Sequence, residues 1–298
     1  MAVAEREHVT RAAQDLNLAQ SAVSAAISAL ERKYGATLFD RIGRGIALTE
    51  AGRLFLGEAR AVLARAEAAE LALAELGDLK RGTLSVQASQ TIASYWLPRH
   101  LVAYRRAWPE IEIRLSVGNT AQVARAVHEG EAELGFVEGA VDDPALSSIV
   151  VARDHLVLVV APDHPWAGRD VSLDELDRSE WVLREAGSGT RSEFEAALAR
   201  AGLDPRALPV TPVLPSNEAV RGAVEAGGGA TVISASVAAP SIEAGLLAQA
   251  RLKLPERTFQ VLHHRERSRS RAAEMLLRLM EAPGKGSVVE RAPRRAGG

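Results

Sequence analysis

The stretch LAQSAVSAAISALERKYG, Leu18 to Gly35, decides the fold of this 298-residue chain. Ala22, Val23, Ile27 and Leu30 recur at helical spacing and predict one apolar face. Gly35 sits where a helix needs a stop residue that tolerates left-handed backbone. Upstream, TRAAQDL predicts a shorter helix capped by Thr10, and Asn17-Leu18-Ala19 a tight turn. Two helices joined this closely have the spacing of a helix-turn-helix, whose second helix enters the major groove of DNA. The outward positions of that helix are mostly Ala and Ser, poor in hydrogen-bonding groups. The same pattern also suits a helix that only packs.

The flanks favour the DNA reading. LFDRIGRGIALTEAG predicts a two-stranded wing, Phe39 to Ile42 and Ile46 to Thr49, around Gly43-Arg44-Gly45, with Thr49 capping the next helix. From Glu50 to about Lys80 there is no proline. Phe55, Ala59, Val62, Ala66, Ala69, Leu73 and Leu76 step by 4 and 3, a heptad seam that predicts pairing with a second copy. The opposite face, with Arg60, Arg65, Glu67 and Glu70, is too charged to bury. From Gly82 strands and helices alternate: TLSVQAS, IASYWLPRHLVAYRRAWP, IEIRLSVG, TAQVARAVHEG, ELGFVEG, HLVLVVAP, WVLRE, SEFEAALARAG, PVTPVLPS, NEAVRGAVEAGGG, ATVIS and FQVLHHR. Such alternation predicts open α/β sheets with helices on both faces, and the length fits two sheets better than one. The last segment, 281–298, is rich in Gly, Pro and Arg and predicts a disordered tail.

Bulk properties narrow the function. A net charge of -2 confines any nucleic-acid site to a local patch, or to one doubled by self-association. The absence of cysteine removes disulfides, thiol catalysis and cysteine metal sites, and fits a reducing cytoplasm. No apolar run approaches the ~20 residues that span a bilayer, and the charged start MAVAEREH is unlike an export signal. No membrane partner is expected.

The order of helix-turn-helix, wing, pairing helix and two-lobed α/β module resembles the LysR-type transcriptional regulators. TRAAQDLNLAQSAVSAAISALERKYGATLFDRIGRGIALTEAG carries the likeness at the N-terminus. GTLSVQASQTIASYWLP, VGNTAQVARAV, ELGFVEG, DHPWAG, WVLREAGSGTR, LPSNEAV and AGGGATVIS resemble the branch that holds regulators of sulfur assimilation and carbon-fixation genes. The resemblance implies an α/β chain in four parts. These are a winged helix-turn-helix over 1–49, a linker and dimerisation helix over 50–80, a two-lobed periplasmic-binding-protein-like effector domain over 82–280 with crossovers near 161 and 264, and the tail. It implies a sequence-specific regulator of promoter DNA, a coinducer that shifts lobe closure, and a homodimer or a homotetramer built as a dimer of dimers. Two departures stand out. Met1 falls inside the family's first helix, so the first helix is a stub or the start is placed late. Ala19 replaces the family's serine cap, at a cost of about 1 kcal/mol.

DNA affinity comes largely from phosphate contacts and discrimination from base edges and DNA shape. The candidate phosphate contacts are Arg11, Arg32, Lys33, Arg41, Arg44 and Arg53, with Arg44 at the wing tip reaching a minor groove or a phosphate. Gln20, Ser21 and Ser24 are placed for base edges, and Ala22 or Ala25 for a thymine methyl. Base readout is thin, so shape and multiple half-sites are expected to supply specificity.

Four loops end a strand and open a helix with small polar residues: Ser89-Gln90-Thr91, Asn119-Thr120, Ser188-Gly189-Thr190 and Ser216-Asn217. Converging helix starts in a two-lobed module make a site for a small oxyanion, a carboxylate or a phosphorylated metabolite. Arg191 either adds a charge or forms a surface salt bridge. Glu138 either accepts from an amine or hydroxyl of the ligand or caps a helix. Ser188 lacks the G-x-S-x-G frame of a hydrolase, His263 and His264 point to opposite faces of a strand, and Gly227-Gly228-Gly229 stops a helix. No catalytic or metal-binding set and no cofactor is expected. The alternative reading is the solute-binding protein of a transport system, which the N-terminal eighty or so residues oppose.

Overall fold

The computed structural model describes residues 1–42, 45–75 and 82–281, and not the side chains of residues 64–65 and 67–75. The chain opens with a short helix α1 (Ala2–Arg6), then α2 (Val9–Asp15) and α3 (Gln20–Tyr34). The turn into α3 places Asn17 at φ 54, a left-handed conformation that asparagine tolerates better than most residues. Gly35 ends α3 at φ 63, as its position requires. His8, not Thr10, caps α2: its ring Nδ1 accepts from the Arg11 amide at 3.4 Å, and Thr10 lies inside the helix. Ala22 is exposed, so the buried stripe of α3 is Val23 with Ile27 packed beside it.

The wing pairs β1 (Phe39–Ile42) with β2 (Gly45–Leu48), antiparallel. Glu31 of α3 holds its root by accepting from the Leu38 amide at 2.8 Å. Thr49 accepts from the Gly52 amide at 2.9 Å and so caps α4 (Glu50–Glu75). Gly52 is needed for close approach, since a Cβ there would lie 2.1 Å from the Leu38 carbonyl oxygen. Gly43 and Arg44, the last turn of the expected linker and the tail from 282 lie outside the described residues.

The C-terminal half contains two sheets that share one strand. In the first lobe β3 (Gly82–Ser89) lies between β4 (Ile111–Gly118) and β5 (Leu134–Glu138), all parallel. Its helices are α5 (Leu97–Ala107), entered through a π turn at Ile92–Trp96, and α6 (Thr120–Glu129). The shared strand β6 (Leu146–Val160) then runs into the second lobe. That lobe holds β7 (Trp181–Arg184), α7 (Gly189–Arg200), β8 (Val210–Leu214), α8 (Asn217–Glu225), β9 (Ala230–Ser234), α9 (Ala235–Glu243) and β10 (Ala248–Ala250). The chain returns through β11 (Glu256–His264) and closes the first lobe with α10 (Arg271–Glu281).

The crossovers fall earlier than residues 161 and 264. β6 pairs with β11 from Leu146 to His155 and with β9 from Leu156 onward, so the first switch lies between His155 and Leu156. The return is complete where β11 begins at Glu256. Apolar continuity hides the first switch, because HLVLVV reads as one buried strand wherever its partners change. Each lobe has its own core. Leu84, Trp96, Leu97, Tyr104, Phe136 and Leu276 anchor the first, and Leu158, Trp166, Trp181, Phe194 and Leu198 the second.

Candidate ligand cleft and nucleic-acid interface

All the loop residues singled out in the C-terminal half lie where the lobes meet. Asn119 caps α6 by accepting from the Gln122 amide, and its Nδ2 donates to Glu185 of the second lobe at 3.1 Å. The Ala121 amide donates to the Gly187 carbonyl at 3.1 Å. On the other side, Gln90 donates to the Pro215 carbonyl and accepts from the Asn217 amide, both at 3.0 Å. Asn217 Nδ2 donates to Thr91 Oγ1 at 3.1 Å. Ser216 accepts from the Ala219 amide and caps α8. Gly189 explains how α7 seats its first turn on β5: a Cβ there would lie 1.9 Å from the Glu138 carbonyl oxygen. That carbonyl also accepts from Thr120 Oγ1 at 2.7 Å.

Glu138 lies in the middle of this junction, 2% exposed. Ser89 of the first lobe donates to its Oε2, and Thr190 of the second lobe contacts its Oε1 at 3.5 Å. It caps no helix. Behind it lies a buried pair absent from the sequence reading. Asp154 on β6 and Arg257 on β11 face each other as cross-strand partners, with Arg257 Nε donating to Asp154 Oδ2 at 2.7 Å. Arg257 Nη1 donates to Thr190 Oγ1 at 3.0 Å and lies 3.9 Å from Glu138 Oε1. Ser234 completes the chain by donating to Asp154 at 2.9 Å. One buried polar network therefore joins both lobes and both crossing strands.

Arg191 takes the salt-bridge alternative. Its Nε donates to Glu195 at 2.7 Å and its Nη1 to the Arg184 carbonyl at 3.1 Å. The buried cation on this side of the junction is Arg184, which donates to Asn217 Oδ1 at 2.6 Å and to Glu185 at 2.8 Å. Burial pushes the Glu185 carboxyl up, but the Arg184 hydrogen bond and charge, a backbone amide and Asn119 outweigh it and hold it below the ordinary carboxylate range. Ser188 precedes α7 and is buried, but its side chain makes no capping bond.

At the other end of the molecule Arg11, Gln20, Ser21, Ala25, Arg32, Arg41 and Arg53 are exposed and Ser24 is partly so. Gln20 Nε2 donates to Ser24 Oγ at 3.1 Å, which places these two candidate base-reading groups one turn apart on one helix face. Among the described residues Arg11, Arg32 and Arg41 are in no ion pair, whereas Arg6 is held by Asp15 at 2.7 Å. Arg53 donates to the Leu48 carbonyl at the base of the wing. Exposed cations without carboxylate partners suit phosphate contacts. The linker helix touches both ends. Arg60 meets Glu129 at 3.0 Å and Glu131 at 2.8 Å, both at the end of α6, and Glu5 of α1 at 3.8 Å.

A helix-turn-helix head with exposed, unpaired arginines, joined by a long helix to a two-lobed receptor, has the architecture of a ligand-responsive DNA-binding regulator. Residues 1–53 match the bacterial regulatory helix-turn-helix protein family, lysR type, and residues 77–283 match the LysR substrate binding domain. The chain belongs to the LysR family of transcriptional regulators. It is 36% identical over 270 residues to an Escherichia coli K12 HTH-type transcriptional regulator, YeiE, with 90% of each chain covered. It is 32% identical over 280 residues to a probable RuBisCO transcriptional regulator of Cyanophora paradoxa, covering 92% of this chain and 86% of that one. Full-length CbnR complexed with its target DNA shares the fold at a TM-score of 0.66 and 24% identity, with 94% of this chain and 96% of that one aligned. The regulatory domain of CcmR from Synechocystis PCC6803, in complex with 2-PG, aligns with 67% of this chain and 97% of that one at a TM-score of 0.61 and 26% identity. The protein is thus a LysR-type DNA-binding transcriptional regulator with a C-terminal effector-binding domain. Among the described residues no helix is long and apolar enough to cross a membrane.

Proposed function

We propose that this regulator acts in the cytoplasm as a homodimer or dimer of dimers and senses a small anionic metabolite between its lobes. Ser89, Gln90, Thr91, Asn119, Thr120, Ser188, Thr190, Ser216 and Asn217 form the rim, and Arg184 and Arg257 supply buried positive charge. The observation that carries the reading is convergence: loops more than 120 residues apart in sequence, such as Gln90 and Asn217, hydrogen-bond to each other across the lobes. Backbone amides at helix starts favour an anion there. The complex of the related CcmR domain with 2-PG supports the same ligand class.

DNA binding is assigned to α3 and the wing, with Arg11, Arg32, Arg41, Arg44 and Arg53 on phosphates and Gln20, Ser21, Ser24 and Ala25 at base edges. Exposed Phe55 and Val62 on α4 fit the seam expected to pair two copies. The test is a gel shift on the DNA upstream of the chain's own gene, with and without 2-PG, sulfate and inorganic phosphate. The expected result is a retarded complex whose affinity or mobility changes with at least one anion. Arg41→Ala should weaken binding to every sequence and reduce its salt dependence. Indifference to DNA at low salt, together with no thermal shift by any anion, overturns the proposal.

A further inference from the structure

We propose that Glu138 is a tethered stand-in for the anionic group of the effector. Its carboxylate takes the hydroxyl donors of Ser89 and Thr190, one from each lobe. An incoming carboxylate or phosphate takes those donors by displacing it. The inference rests on the interlobe site assigned under Proposed function.

Three observations carry it. First, the Glu138 side chain lies in a closed junction, 2% exposed, held by donors of opposite lobes and facing Arg257 at 3.9 Å. That is the donor set expected around a bound anion. Second, a free anion cannot share those donors with a fixed carboxylate, because like charges at such distances repel strongly where water is excluded. Third, the main chain that carries the carboxylate is fixed. The Glu138 backbone is pinned by Thr120 and by the close approach of Gly189, so only its side chain can swing. Arg257 faces the carboxylate throughout, with Nη1 3.9 Å from Glu138 Oε1. A tethered competitor acts at an effective concentration of order mM or more. The effector must therefore outbind an internal carboxylate, which selects against simple monoanions such as acetate.

Chemical complementation tests this on the full chain. Glu138→Ala leaves Arg257 paired with Asp154. Sodium acetate at tens of mM is expected to raise the melting temperature of Glu138→Ala above a sodium chloride control of equal ionic strength. Wild type should not respond, and Ser89→Ala added to Glu138→Ala should abolish the response. Should Glu138→Ala not fold, Glu138→Gln keeps the shape and removes the charge. It is expected to bind 2-PG at least tenfold more tightly than wild type in calorimetry. Equal acetate responses in wild type and Glu138→Ala, or 2-PG binding by Glu138→Gln no tighter than wild type, overturn the inference. If wild type binds 2-PG and Glu138→Gln binds it equally well, the cleft assignment survives and only the stand-in falls. If neither acetate nor 2-PG affects any variant, the cleft assignment falls with it.

Discussion

The N-terminal head and the C-terminal receptor solve the problem of burial differently. The head's core is Val3, Ala12, Ala13 and Val23. Each receptor lobe buries tryptophan, phenylalanine and several leucines. Apolar burial stabilises by roughly 25 cal/mol per Å², so alanines contribute little. The head also leaves Leu16, Leu18, Tyr34 and Ile42 exposed, and the linker leaves Leu54, Phe55, Val62 and Leu63 exposed. The receptor lobes thus have large cores of their own, whereas the head has a small one and is tied to the receptor through Arg60 of the linker. The lesson is that the alanines of the head divide by helix: Ala12 and Ala13 of α2 let the helices pack closely, whereas Ala22, Ala25, Ala26 and Ala29 of α3 face outward.

The largest effect that would challenge this contrast is in the receptor. Arg257→Leu strips the cation from buried Asp154 and Glu138 and should cost about 3–5 kcal/mol. Urea melts of the receptor half would show it, and a cost under about 1 kcal/mol would mean that the network is not structural. Next comes the head. Ala13→Leu overfills a core built on small residues and should cost about 1–3 kcal/mol, read as loss of DNA binding with the receptor's melt unchanged. If the head absorbs the leucine, its core is looser than the burial of Ala13 at 2% exposure implies. A smaller effect of opposite sign is expected from Ala19→Ser, which restores a capping hydroxyl where α3 has none and should add about 1 kcal/mol. Amide exchange in the first turn of α3 would report the gain.

The smallest is a pH effect. Glu185 is held below the ordinary carboxylate range, so its contribution is complete at neutral pH. It is lost as pH falls from about 4.3, the usual glutamate value, through the lowered folded-state value. The wild-type receptor should therefore lose stability in acid slightly faster than Glu185→Gln does. Parallel acid titrations of the two would contradict the pairing of Glu185 with Arg184.

The sequence was most informative where a local rule acts alone. Gly35, the α3 stripe, the wing and the caps Thr49, Asn119 and Ser216 each follow from neighbours a few residues away. It failed where tertiary partners decide. His8 displaced Thr10 as a cap because the helix begins at Val9, two residues earlier than a Thr10 cap implies. Arg184, Asp154 and Arg257 sit in strands and carried no local signal, and Asp154 meets a partner 103 residues away. Glu138 was singled out in the sequence, but not its partners Ser89, Thr190 and Arg257, which come from three other elements. α9, β10 and α10 were not anticipated at all, since ATVIS and FQVLHHR dominate their surroundings.

One strand serving two sheets has a mechanical consequence. β6 is hydrogen-bonded to β11 up to His155 and to β9 from Leu156, so a single peptide link separates two rigid ladders. Shear between the lobes would tear one ladder or the other, while rotation about that link tears neither. The strand pairing thus suits a door on fixed pins better than a sliding drawer, since a change of angle at that link leaves each leaf's own ladder intact.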